Sequence, residues 1–436
     1  MIDPLVAVAV AMGIFILLLV AGMPIFAALG LGGIIGIFLV EGLKGMLAIS
    51  TVVYGNAYSF SILAITLFVF MGNILVEHNI GQDMYDVVYK WLGQFKGGLA
   101  IVSTFFGAIF GFMCGSSVAG VATVGGVCLP EMMNRGYDRR LATGTLALAG
   151  SLAALIPPSL LMILYTIVTE ASLGKLFIAG IVPGLVLVLL MTAYILLRVT
   201  LNPNLALPGP SFPWRERFKS LIHLIPVVVI FLSVIGGLYM GIWSPTEAGA
   251  TGAVAAFVVC LAYRRVRWST IKTATLNTVK TFVMIYMLLF GASLIAYLFF
   301  ISGISAAIGA AAAALALPSW LVIIIIWLVM MVLGCFLDPP AIVLITVPVF
   351  LPVVESLGFD IVWFGVVMIL AAEMAQLTPP VGIGLFIMQS IAPRGTTLMD
   401  CILGAVPYVG ILWILLLLLI FLPEIAMWLP GLMRGG

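Results

Sequence analysis

The chain has 436 residues, of which 64% are hydrophobic and only 8% charged, with a mean hydropathy of +1.32. Eighteen Lys and Arg with sixteen Asp and Glu cannot cover a water-facing surface, which uses roughly a quarter charged residues. A soluble enzyme is therefore excluded, and a net charge of +2 excludes the basic footprint of a nucleic-acid binder. The solvent of this chain is a lipid bilayer.

A spanning helix needs about 20 mostly apolar residues. Such stretches fall at 4–22, 24–41, 60–78, 141–168, 176–198, 220–240, 245–263, 280–300, 361–391 and 401–423. No Lys or Arg precedes Lys44, so the basic region of a cleaved leader is missing and the first stretch is expected to remain as a helix. Two further apolar stretches, about 97–133 and 319–354, are interrupted near their middles by Gly115-Ser116-Ser117 and Asp338-Pro339-Pro340. Each is too long for one span and short for two, which predicts a re-entrant helical hairpin. Residues 199–219, with four prolines and then Arg215, Arg217 and Lys219, form the one long polar linker. The five cysteines lie scattered in apolar runs with no CxxC pair, and His78 and His223 share no metal-ligand spacing.

The central linker prompts a search for duplication. Adding 222 carries Leu129-Pro130 onto Leu351-Pro352, Gly136-Tyr137-Asp138 onto Gly358-Phe359-Asp360, and Pro157-Pro158 onto Pro379-Pro380. Ser116-Ser117 falls on Asp338-Pro339 in the same register. We read residues 1–198 as one repeat, 199–219 as a linker and 220–436 as a second repeat. Charge suggests orientation. The ends of the first hairpin carry Lys90, Lys96, Arg135, Arg139 and Arg140, whereas no basic residue lies between Lys280 and Arg394. The positive-inside rule then opens the first hairpin to the cytoplasm and the second to the outside, with both termini outside. The expected architecture is all-α and polytopic, with two inverted repeats that each hold a hairpin and a Pro-Pro-broken helix.

The breaks are where chemistry is expected. Asp338-Pro339 resembles an N-cap followed by proline at the first helical position, Thr378-Pro379 has the same form, and Ser116 and Ser117 are capping types. Ile156-Pro157-Pro158-Ser159 interrupts 141–168 because proline removes an amide donor and disfavours helix before it. Irregular backbone at membrane depth is tolerated only inside protein or beside a wet cavity. Helix N-termini suit an anion such as a carboxylate, and carbonyls freed upstream suit a hard cation, Na⁺ first among them. Taken alone, the Gly115–Gly120 cluster is more commonly a helix-packing surface and a Pro-Pro pair a simple kink; their recurrence at one offset favours a site. Glu373 and Gln376 lie within about a turn of Thr378, where a packing role and a functional one are equally open. Asn56 and Asn73 are expected to bridge helices, Ser244-Pro245-Thr246-Glu247 to form a capping box, and Tyr137–Arg140 to cap and anchor a helix.

At these residues the chain resembles a known family. Gly115-Ser116-Ser117-Val118-Ala119, Leu129-Pro130-Glu131-Met132, Arg135-Gly136-Tyr137-Asp138 and Ile156-Pro157-Pro158-Ser159 are similar to the large membrane subunit of tripartite ATP-independent periplasmic (TRAP) transporters. So are Asp338 after Gly334, Leu351-Pro352 and Thr378-Pro379-Pro380-Val381-Gly382; Ala375 departs from the glycine the family often has. The resemblance implies an elevator-type secondary transporter in a bacterial inner membrane, driven by Na⁺ and using no organic cofactor. It implies a separate small subunit of four helices and a periplasmic binding protein that delivers a small organic acid. By the same resemblance, one Na⁺ site uses Gly115, Ser116 and Ser117 with Ile156 and Pro157. A second uses Asp338 with Thr378, Pro379 and Gly382. Substrate lies between the tips, against Ser116, Ser117, Pro158, Ser159, Asp338, Pro339 and Pro379. The helices of 4–41 and 220–263 are expected to form the scaffold.

Rival readings differ in sequence signature. A stand-alone Na⁺ or H⁺ coupled carboxylate symporter or antiporter would need no binding protein. A membrane enzyme would need HExxH, a Ser/His pairing or a P-loop, none of which the sequence holds. A proton-pumping subunit would favour chains of mid-membrane Lys, Glu and His, and these spans have no mid-helix lysine.

Overall fold

The computed structural model describes residues 3–57, 60–314, 317–380 and 382–433; the Asn56 side chain and Val381 lie outside the described residues. No strand occurs among the described residues. Helix α1 (Pro4–Val20) starts where Asp3 accepts the Leu5 amide and proline takes the first turn. Helices α2 (Ile25–Glu41), α3 (Leu43–Ala57) and α4 (Phe60–Glu77) follow, and α5 (Ile80–Leu92) leaves α4 at 69° through the left-handed Asn79. Helix α5 is amphipathic, burying Met84, Tyr85, Val87 and Val88, which suits the membrane interface better than its core.

The first hairpin is α6 (Gly98–Cys114) and α7 (Ser117–Asn134). An arm of 17 residues rises roughly 25 Å, short of the roughly 30 Å hydrocarbon core. Helices α8 (Arg139–Leu155) and α9 (Leu160–Thr169) are one expected span bent by 43° at the Pro-Pro pair, and α10 (Leu173–Leu201) follows. Asp138 caps α8 by accepting the Leu141 amide, as expected for the Tyr137–Arg140 segment. Beyond the linker, α11 (Trp214–Ser220), α12 (Ile225–Phe231) and α13 (Gly237–Tyr239) join into one rod over 214–239. Helix α14 (Pro245–Ala262) begins with the expected capping box of Ser244 and Glu247, and α15 (Trp268–Ile301) follows.

Helices α16 (Ile304–Ala314), α17 (Ser319–Gly334), α18 (Pro339–Ser356), α19 (Ile361–Gln376), α20 (Ile383–Ile391), α21 (Leu398–Phe421) and α22 (Glu424–Gly431) complete the described chain. Elements α17 and α18 form the second hairpin, and α19 and α20 the second broken helix. By length and composition, six described helices can cross a membrane, or eight with each bent pair counted as one span. Every expected span meets a helix. Helices α3, α5, α16 and α22 were not expected, because a search for 20-residue apolar runs passes over short or amphipathic ones.

Packing sorts these elements. Helix α2 lies along α15 and α4 along α14, while hairpin α6–α7 clasps α8, which lies along α21. Asn73 donates to Thr278 at 3.0 Å, so it bridges α4 and α15 as expected, and Asn277 does the same to Glu77 at 3.1 Å. Arg139 and Arg140 stand at the start of α8. Arg139 donates to the Gly395 carbonyl at 2.6 Å and Arg140 pairs with Asp400 at 3.4 Å, which sets the start of α8 beside the start of α21. At the other end of the broken helix, the Tyr165 hydroxyl donates to Ile361 at 2.7 Å, joining α9 to the start of α19.

Candidate functional site

Each hairpin tip is seated on the Pro-Pro break of its own half. At the first, α6 ends on Gly115 at φ +64°, a conformation that favours glycine. A Cβ there would come within 2.5 Å of the Pro158 carbonyl oxygen, so the tip and the break touch through backbone. The Leu160 amide, free at the start of α9, donates to the Gly115 carbonyl at 3.0 Å, and Ser159 accepts the Met162 amide at 3.4 Å. Ile156 is extended and ends α8. Ser116 takes the N-cap position of α7, but its hydroxyl makes no capping bond, and Ser117 is the first helical residue.

The approach of hairpin to broken helix depends on glycine. A Cβ at Gly111 would sit 2.6 Å from Ala153 Cα, one at Gly150 2.3 Å from Val121 Cα, and one at Gly107 2.2 Å from the Ala149 oxygen. The remaining space beside Gly115 and Pro158 is about 10 Å³, lined also by Phe68, Met71 and Cys114. That is about the room of a single water-sized particle, far too small for an organic acid. A larger cleft of about 930 Å³ opens at the end where α9 meets α10, between Ser61 of α4, Thr166, Glu170, Lys175, Trp243 and Glu247.

At the second tip, Asp338 occupies the N-cap of α18 with Pro339 at the first helical position, as expected. Its carboxylate, however, makes no capping bond, and Oδ1 is buried without a partner. Cys335 Sγ donates to the Pro379 carbonyl at 3.2 Å, so this tip also meets its break. Thr378-Pro379 does not start a helix. The Thr378 hydroxyl turns back to the Met374 carbonyl at 2.8 Å, and α20 begins only at Ile383, after Gly382 at φ +44°. Pro379 and Pro380 bring no amide hydrogen to the carbonyls upstream. A Cβ on Gly382 would lie 3.1 Å from the Thr378 oxygen and 3.2 Å from the Gln376 oxygen, so two carbonyls converge there. Converging carbonyls are donors that suit a hard cation, as is a carboxylate oxygen without a partner; the first stand at Gly382 and the second at Asp338.

The structure adds a link that motif spacing did not anticipate. Gln376 Nε2 donates to Ser117 Oγ at 2.8 Å and to Glu373 Oε2 at 2.9 Å, which ties the first tip to the second broken helix. Ser151 of α8 lies against the same carboxyl group. Glu373 and Gln376 were equivocal in the sequence, and Ser151 and Cys335 carried no signal there beyond being small or polar in apolar runs.

Comparison with known proteins bears on this arrangement of two seated tips and two broken helices. The family model for the tripartite ATP-independent periplasmic transporter, DctM component, matches residues 12–425. The chain belongs to this family. The C4-dicarboxylate TRAP transporter large permease protein DctM of Pseudomonas aeruginosa is 33% identical over 409 residues, covering 93% of this chain and 94% of that one. The ectoine TRAP transporter large permease protein TeaC of Halomonas elongata is 30% identical over 417 residues, covering 95% and 97%. Among solved structures, the Alcanivorax borkumensis YdaH transporter superposes with a TM-score of 0.65 at 16% identity, over 99% of this chain and all of that one, a likeness of fold. This TRAP large permease is thus a multi-pass membrane transporter subunit. Its family implies a small permease subunit and a periplasmic binding protein as partners.

Proposed function

We propose that this permease carries out Na⁺-coupled uptake of a small organic acid across a bacterial inner membrane, the acid being delivered by a periplasmic binding protein. The observation that carries the reading is that both hairpin tips sit on Pro-Pro breaks, Gly115 on Pro158 and Cys335 on Pro379. Ser116, Ser117 and the carbonyls around Pro157 offer one cation site; Asp338, Thr378 and Gly382 offer another. The N-termini of α7, α9 and α18 then present amides and partial positive charge to a carboxylate substrate. Bound Na⁺ supplies the charge that lets an anion rest at membrane depth and couples its movement to the Na⁺ gradient.

We further read the two halves as inverted repeats. The start of α8 lies beside the start of α21, and the end of α9 beside the start of α19, which supports opposed directions for the two broken helices. Both termini would then face the periplasm. In an elevator cycle the hairpins and broken helices travel together, while the helices of 4–41 and 220–263 stay as scaffold. To these we add α4 and α15, which pack along α14 and α2. The cleft between α4, α9 and α14 lies along the seam of those two groups. The large permease, its small subunit and the binding protein, reconstituted in vesicles, test the reading. Organic-acid uptake should require an inward Na⁺ gradient, and Ser117→Leu or Thr378→Leu should abolish it with the protein still inserted. Uptake that ignores Na⁺, or wild-type uptake by both variants, would sink it. Uptake by the permease alone would favour a stand-alone carboxylate carrier.

A further inference from the structure

The link between the two halves has an unusual balance of donors and acceptors. Glu373 and Gln376 lie one turn apart on the same face of α19, and each is only 2% exposed. Gln376 Nε2 has two hydrogens and two acceptors, Ser117 Oγ and Glu373 Oε2. That leaves Glu373 Oε1 and Gln376 Oε1 buried with no donor from the protein. Ser151, 1% exposed, donates to the Ala147 carbonyl at 3.0 Å and lies, together with Ser117, against the Glu373 carboxyl. Two buried acceptor oxygens, one on each side chain, are thus left over by the hydrogen bonds of the cluster.

A buried unpaired acceptor costs about 1–3 kcal/mol and a lone buried carboxylate more. A helix-packing role gives no reason to keep two such oxygens together, since Leu or Met at either position would remove the cost. A cation satisfies both at once. The cluster holds one carboxylate, and its other oxygens are neutral. A monovalent ion leaves it uncharged, whereas a divalent one would leave a buried positive charge.

We propose that Glu373 Oε1, Gln376 Oε1 and Ser151 Oγ form an additional Na⁺ site, distinct from those at the two Pro-Pro breaks, with Ser117 orienting the Gln376 amide. The inference rests on the Na⁺-coupled reading and deepens it. An ion here is held by α8 and α19 and braces the amide that reaches the first hairpin tip, so its binding is felt by both halves.

The experiment compares wild type and Glu373→Gln in the complete three-component transporter in vesicles, with NaCl exchanged for choline chloride. The purified permease is followed in parallel by Na⁺-induced thermal shift. Glu373→Gln should raise the half-saturating Na⁺ concentration roughly tenfold, lower the Hill coefficient for Na⁺ by about one, and shrink the thermal shift. Ser151→Ala, a milder change, should raise half-saturating Na⁺ with the Hill coefficient retained, and it serves if Glu373→Gln does not fold. Wild-type Na⁺ dependence in either folded variant would overturn the site, and Glu373→Gln that matches wild type in Na⁺ but loses pH dependence would show a proton there instead. Wild-type uptake without any Na⁺ dependence would overturn the broader reading, a result separate from the loss of this one site.

Discussion

At the first break, the amides at the start of α9 are taken up by neighbours. The Leu160 amide reaches Gly115, the Met162 amide reaches Ser159, and glycines let α6 and α7 lie directly on α8. At the second break Asp338 Oδ1 is buried without a partner, and on the preceding helix α19 so are Glu373 Oε1 and Gln376 Oε1. The same motif on two halves thus yields one junction closed by backbone packing and another left open in its hydrogen bonding. With several kcal/mol at stake in a fold of ordinary stability, the second junction has the character of a site completed by a ligand. The first has the character of a rigid seat.

The seat is the place to break that contrast most severely. Gly150→Ala puts a methyl group 2.3 Å from Val121 Cα and 2.4 Å from Val121 N, where only backbone can yield. Overpacking of this kind costs about 1–3 kcal/mol and sometimes more. Most of the monodisperse protein should be lost on detergent extraction. Gly126→Ala, a position with nothing within 4 Å, should extract as wild type. Equal behaviour of the two would show that hairpin α6–α7 is not seated as tightly as its glycines imply.

The second test changes function with little change in folding. Asp338→Asn keeps the shape of a residue that makes no capping bond. It should lower Na⁺-dependent uptake by roughly tenfold and leave the yield of inserted protein unchanged. Ser116→Ala, at the corresponding point of the first tip, should cost less, because it removes a neutral hydroxyl and not a charged oxygen ligand. Uptake assays on the two variants side by side would measure the asymmetry, and a larger loss from Ser116→Ala would reverse it.

Much of this architecture was legible in the sequence, since Pro-Pro, Gly-Ser-Ser and Asp-Pro are local signals that act on their own backbone. Both hairpins and both broken helices fall where those residues place them. Thr378 was misread as a helix start because its hydroxyl has two options, an amide ahead or a carbonyl behind. In the structure the carbonyl of Met374 wins. The Ser117–Gln376–Glu373 link spans more than 250 positions, and no local pattern encodes a pairing that distant. Helix α5 was overlooked for a different reason: its moment is strong but its apolar face is too narrow for a spanning run.

That helix carries the third test, which concerns how the first hairpin is held at its base. The Tyr85 hydroxyl of α5 donates to Glu131 of α7 at 2.9 Å, while its ring packs edge-on against Phe106. Tyr85→Phe keeps the ring and removes the hydroxyl. A loss of about 1 kcal/mol is expected, read as a fall in melting temperature of roughly 2 °C, with Na⁺ dependence of uptake unaltered. A shifted Na⁺ dependence would mean that the base of the hairpin, and not only its tip, reports on the ion.

The smallest effect is expected on the far side of α5, where Arg265 donates to both carboxylate oxygens of Asp83 at 2.7 and 3.0 Å. The Asp83 hydrogen bond holds the Arg265 pKa above its ordinary value. A group raised in this way stabilises the fold fully below its ordinary pKa and loses that contribution only as pH rises through the higher folded one. For arginine both lie above about 12, so the contribution should be constant between pH 7 and 10. Arg265→Lys gives up the paired donors and brings in a group with an ordinary pKa of about 10.4. At pH 8 the half-exposed pair should lose about 0.5 kcal/mol. The gap in melting temperature between wild type and variant should then widen above about pH 10. A gap that stays level to pH 11 would show that this ion pair does not help to fix α5 to the α14–α15 turn, and that the hairpin contacts of α5 hold it alone.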